Sequence, residues 1–127
     1  MLLEHVAINV PDPVAMAKWY VTHCDMRLVV ENDSPPFVHF LADQTGRTCI
    51  EIYNNPMAPV PDYSTQHHLI YHQAFAVENM EQSKADLLSA GASFVEEVVT
   101  PNGSRLIMLR DPWGIPLQLV HRIGRWY

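Results

Sequence analysis

Residues Leu3 to Val10 alternate strictly. Val6, Ile8 and Val10 fall on one face and His5, Ala7 and Asn9 on the other, which predicts a strand with one greasy side and one small, polar side. Asp12 followed by Pro13 predicts a helix start, because an aspartate oxygen accepts from an unpaired amide of the first turn and proline suits the first helical position. The helix is expected from Pro13 to about Cys24, with Val14, Ala17, Val21 and Cys24 as the apolar stripe that covers the greasy face of the first strand. Further strands are expected at Arg27 to Glu31, Phe37 to Ala42 and Arg47 to Tyr53, separated by turn-rich stretches at Asn32 to Pro36 and Gln44 to Gly46.

The same order is then written a second time. His72 to Val77 alternates as the first strand does, with Phe75 and Val77 on one side and His72, Ala74 and Ala76 on the other. Asn79 with Gln82 forms a capping-box pattern ahead of a helix carrying Met80, Lys84, Leu87 and Leu88, and Gly91 ends it. Strands at Phe94 to Val99, Ser104 to Leu109 and Pro116 to His121 complete the unit. A repeated supersecondary unit constrains the fold more than any single propensity, and it predicts an α+β chain of two βαβββ modules. Module 1 covers about residues 1–54, a Pro-containing linker about 55–69 and module 2 about 70–127, all within one domain.

Composition narrows the function classes. At 127 residues with 48% hydrophobic and 17% charged residues, the chain can bury a core without staples. The net charge of -6 leaves no basic patch for a phosphate backbone, so nucleic acid is excluded as a partner. Glu4 and the lack of a long apolar run near the start argue against an ordinary signal peptide or a spanning helix, so a cytoplasmic protein without a membrane partner is expected. Cys24 and Cys49 are too few for a disulfide framework and lack metal-thiolate spacing.

The repeat also aligns chemistry. His5 and Glu51 are 46 positions apart, as are His72 and Gln118. Cys-Ile-Glu51-Ile and Pro-Leu-Gln118-Leu each set a polar residue between apolar ones in a strand, so the polar side chain points away from the core. Any one of these residues alone reads as an ordinary surface side chain. Together, two histidines, one carboxylate and one amide oxygen form a donor set that suits Ni, Co, Zn, Mn or Fe. His39 alternates with Phe37 and Leu41 in a strand expected to line the same space, where substrate contact and plain packing are both open readings. His67 and His68 read as solvated linker residues, and Trp113 and Trp126-Tyr127 as packing or dimer contacts.

The stretches His5-Val-Ala-Ile-Asn-Val10, Trp19-Tyr20, Ile50-Glu51-Ile52, His72-Gln-Ala-Phe-Ala-Val77, Asp111-Pro112-Trp113-Gly114 and Leu117-Gln118-Leu119 resemble the vicinal oxygen chelate superfamily over nearly the whole chain. That superfamily includes glyoxalase I, methylmalonyl-CoA epimerase, extradiol dioxygenases and bleomycin-binding proteins. The resemblance implies an eight-stranded U-shaped cup with the helices outside, a divalent metal held by the first and last strands of each module, and a homodimer. Those strands supply His5, Glu51, His72 and Gln118. Glu51-Ile-Tyr-Asn-Asn55 is similar to bacterial glyoxalase I, which implies substrate contact by Asn55, and Asn9 stands where that enzyme has a substrate-binding arginine. Gln118 stands where most members have a glutamate base, so Glu51, the only anionic ligand, is the candidate catalytic base. The expected function is a metal-dependent lyase or isomerase acting on a carbon next to a carbonyl of a small molecule. The open alternatives are a sequestering protein of the bleomycin-resistance type and a small iron dioxygenase using His5, His72 and Glu51.

Overall fold

The structure, a computed structural model, describes residues 1–47 and 49–124. The first unit runs from β1 (Val6–Asn9) through α1 (Pro13–His23), β2 (Arg27–Glu31) and β3 (His39–Ala42) to β4 (Cys49–Tyr53). The second repeats this order as β5 (Gln73–Ala76), α2 (Met80–Ser89), β6 (Ser93–Val99), β7 (Arg105–Arg110) and β8 (Pro116–His121). The chain divides into compact units at Met1–Pro61 and Asp62–Tyr127. The expectation for Trp126-Tyr127 lies outside the described residues.

Each unit builds one four-stranded sheet, with orders β1-β4-β3-β2 and β5-β8-β7-β6. In both, the first and last strands pair in parallel and the other pairs are antiparallel. The repeat extends to irregularities. The β2–β3 ladder slips between Leu28 and Val30, and the β6–β7 ladder slips at the matching place, between Phe94 and Glu96. A bulge of this kind adds local twist to an outer strand.

Both helices start as their caps dictate. Asp12 accepts from Ala15 N at 3.0 Å, and Asn79 accepts from Gln82 N at 3.1 Å. The reciprocal half of the capping box is missing, because the Gln82 amide donates instead to Asp86. Asp25, directly beyond α1 and its cap, adopts a left-handed φ of 53°, a conformation that aspartate tolerates better than most side chains.

The stripe expected on α1 is not the one that packs. Pro13, Met16, Ala17, Trp19 and Tyr20 are buried, whereas Val14 and Val21 are exposed at 44% and 38%. Positions 13, 16, 17 and 20 also follow helical spacing, and they carry bulkier side chains than the stripe through Val14 and Val21. Met16 and Tyr20 therefore join Ile8, Val10, Leu41 and Ile52 in the core of the first unit. Each such side chain is worth about 1.5–3 kcal/mol relative to exposure. Val14 and Val21 instead line a groove beside β2 and β3.

β1 and β3 are among the strands that are shorter than the alternation predicts. β1 keeps only the four residues that find partners on β4. β3 starts at His39 because Phe37 takes a φ of 58° and its N–H closes a turn on Ser34 O at 2.7 Å.

The segment expected to be a plain linker is partly built in. Arg110 donates to Tyr63 O, Gln66 O and Gly114 O at 2.7 to 2.8 Å. Asp111 closes the turn between β7 and β8 by accepting from Trp113 N and Ile115 N, both at 2.9 Å. Gly114 has a φ of 84°, and a Cβ there would lie 2.8 Å from the Ser64 side chain, so only glycine lets the two loops meet.

Candidate metal centre

Glu51 lies at the middle of β4, opposite Ala7 on β1 and Phe40 on β3. Residues directly opposite across a ladder share a face. Glu51 is thus turned away from the face on which Ile50 and Ile52 meet α1, and Ile52 is 1% exposed. His5 precedes β1 on the Glu51 side. Its Nε2 is 3.2 Å from Glu51 Oε2, and its ring meets the edge of Phe40 at a centroid distance of 5.3 Å. Nδ1 of His5 is engaged by the Glu4 carboxylate. The hydrogen bond to Glu4 raises the His5 pKa above the ordinary imidazole value; burial opposes it, and the charges of Glu4 and Glu51 add smaller upward effects.

The second unit repeats the register. Gln118 lies opposite Ala74 on β5 and Met108 on β7, as Glu51 lies opposite Ala7 and Phe40. His72 precedes β5 as His5 precedes β1. Its Nδ1 donates to His68 O at 3.2 Å, and among the described residues Nε2 has no partner. In both histidines Nδ1 is engaged by an oxygen, which leaves Nε2 as the ring nitrogen that this bond does not occupy. That is how metal-binding imidazoles are commonly oriented, with the second nitrogen held by a carboxylate or carbonyl. The donor set on each sheet, one imidazole nitrogen and one side-chain oxygen from adjacent strands, fits a borderline divalent cation.

The structure gives other candidates different work. Asn9 accepts from Asn55 N at 2.8 Å and donates to Asn55 O at 3.1 Å and Ala58 O at 2.9 Å. The Asn55 side chain accepts from Met57 N at 3.0 Å. Both expected substrate contacts thus shape the loop after β4. His39 does not face the space in front of Glu51. It pairs with Ile52 across the β3–β4 ladder, is 1% exposed and lines the groove beside α1. The strand expected to line the space in front of Glu51 presents His39 on its helix side instead, and substrate contact and packing both stay open readings there. Alternation gives two faces of a strand without saying which one a helix covers.

Sequence reasoning also missed two partners. Glu4 was read only as a charge, although a carboxylate next to a ligand histidine is a signal for an orienting group. His68 is not a solvated linker residue: it is 9% exposed and its Nε2 lies 2.7 Å from Glu96 Oε1. The spacing His68-x-x-x-His72 was the available signal.

Residues 2–119 match the model of the glyoxalase/bleomycin resistance protein/dioxygenase superfamily. The chain belongs to this superfamily. Among solved structures, a glyoxalase family protein from Bacillus cereus aligns with a TM-score of 0.77 at 22% identity, covering 98% of this chain and 95% of that one. A glyoxalase family protein from Enterococcus faecalis aligns at 0.66 with 28% identity, covering 94% and 96%. TnmS3, an antibiotic-binding protein from a Streptomyces species, aligns at 0.68 with 18% identity, covering 94% and 96%. No curated protein matches the chain. The superfamily spans enzymes and binding proteins, so membership leaves the chemistry to the residues. No helix among the described residues is long and apolar enough to cross a membrane.

Proposed function

We propose that this chain is a metal-dependent lyase or isomerase of glyoxalase type that moves a proton at a carbon next to a carbonyl of a small molecule. His5, Glu51, His72 and Gln118 form the ligand set, as the superfamily resemblance implies. The observation that carries the reading is the His5–Glu51 pair. An imidazole nitrogen and a carboxylate oxygen stand 3.2 Å apart, with the far side of the imidazole held by Glu4. A divalent ion bound there would act as a Lewis acid and stabilise negative charge developing on substrate oxygens.

Glu51 is the one carboxylate in the set. It is the base that takes the proton, because Gln118 has no lone pair basic enough to do so. Glu4 holds the His5 ring while Glu51 moves.

The test is exchange of solvent deuterium into 2-oxoaldehyde thiol adducts and acyl thioesters by protein saturated with metal. Glu51→Gln keeps the size and the oxygen donor and removes the base. We expect it to fold and to lose exchange by about 10²–10⁴-fold, the usual contribution of a positioned acid or base. Equal exchange by parent and variant removes Glu51 as base. A second reading, a sequestering protein without chemistry, is favoured by Gln118 standing where a second carboxylate would serve. Absence of exchange in parent and in Gln118→Glu alike, with retained ligand binding, decides for it.

A further inference from the structure

The helix-side face of the first sheet carries a second set of donor atoms, which the proposed function leaves unused. We infer that Glu31, Asp33 and His39 form a second divalent-cation site beside the groove between α1 and the β2–β3 pair. Ligand atoms of these three side chains lie within 4.8 Å of one another. Glu31 is directly opposite His39 across the ladder, and Asp33 follows two residues later, so one hairpin supplies all three donors.

His39 is the observation that sets this cluster apart from a chance gathering of surface acids. The ring is 1% exposed, and its Nδ1 lies 2.8 Å from Phe37 O. A carbonyl only accepts, so Nδ1 carries the proton and Nε2 presents a lone pair. Among the described residues nothing hydrogen-bonds to Nε2. It is also not sealed: the only side-chain atom there both sealed and unpaired is Gln73 Oε1. The His39 ring, with Glu31, lines a groove of about 440 Å³, and with Nδ1 held by Phe37 O it is Nε2 that remains to take a ligand there. His72 shares the fixing of Nδ1 by a backbone carbonyl, but His39 is the buried one of the two.

The two carboxylates are exposed and complete the set by rotation about their side-chain bonds. A first-row ion with ligands at about 2.0–2.2 Å would draw them closer to His39 Nε2. Lys18 also lines the groove, but among the described residues it makes no ion pair with either acid, so their charge is left uncompensated. One imidazole with two carboxylates favours Zn²⁺ or Mn²⁺ over softer ions.

The experiment counts Mn²⁺ and Zn²⁺ bound per chain by equilibrium dialysis of the 127-residue chain. The parent is expected to bind two ions. E31Q combined with D33N, both on exposed side chains, is expected to bind one and to weaken the lost site at least tenfold. His5→Ala with Glu51→Ala is also expected to bind one, and the survivor is the ion at His39. His39→Gln serves as a third variant, with circular dichroism reporting whether it folds. An E31Q and D33N protein that binds as many ions as tightly as the parent overturns this site, whether or not the His5 and Glu51 variant loses its own ion. Loss in the first variant with no loss in the second overturns the ligand set of the proposed function and leaves this site standing.

Discussion

At the scale of single residues, neighbours decide what a polar side chain does. Asn9 and Asn55 occupy positions that read as substrate contacts, yet the hydrogen bonds of Asn9 hold the loop after β4 in place. Asn9→Ala removes an acceptor and two donors from that loop. It is expected to cost about 1–3 kcal/mol, because partners that lose a hydrogen bond inside a fold retain their desolvation cost. Urea denaturation measures this, and metal affinity should stay unchanged. A variant of full stability that fails to bind substrate would return Asn9 to the role of a contact. His5, His39 and His72 show the complementary case: each has Nδ1 engaged by an oxygen, and that bond determines which nitrogen remains for chemistry.

At the scale of elements, α1 shows what periodicity leaves open. Two stripes fit helical spacing, and packing of Met16 and Tyr20 against the sheet selects one of them. Met16→Ala should therefore destabilise the protein by about 2–5 kcal/mol, the range for a large apolar side chain removed from a core. Val14→Ala, on the exposed stripe, should stay within about 0.5 kcal/mol. Equal costs in thermal or urea unfolding would mean that the helix faces the other way. Much of the fold was legible from the sequence because its signals are local: the alternation of β1 and β5, the caps at Asp12 and Asn79, and the matched registers of Glu51 and Gln118. The rest depended on distant contacts. Arg110 pins carbonyls 44 and 47 residues before it, which turns an expected linker into ordered turns and buries His68. The side on which His39 falls followed only once the ladder register with Ile52 was known.

At the scale of the molecule, one unit is written twice with the same strand order, the same bulge and the same ladder register for Glu51 and Gln118. With Glu51 in the first unit and Gln118 at the matching position of the second, the proposed ligand set carries its negative charge, and with it the basicity, in its first half. We propose that His5 and His72 ligate one metal together with Glu51 and Gln118. X-ray absorption at the edge of bound nickel or cobalt tests it most directly, using the chain with E31Q and D33N so that the site at His39 is silent. Two imidazole rings per metal ion are expected in the outer-shell scattering, falling to one in His72→Ala. A spectrum with one imidazole or none before that substitution would contradict it.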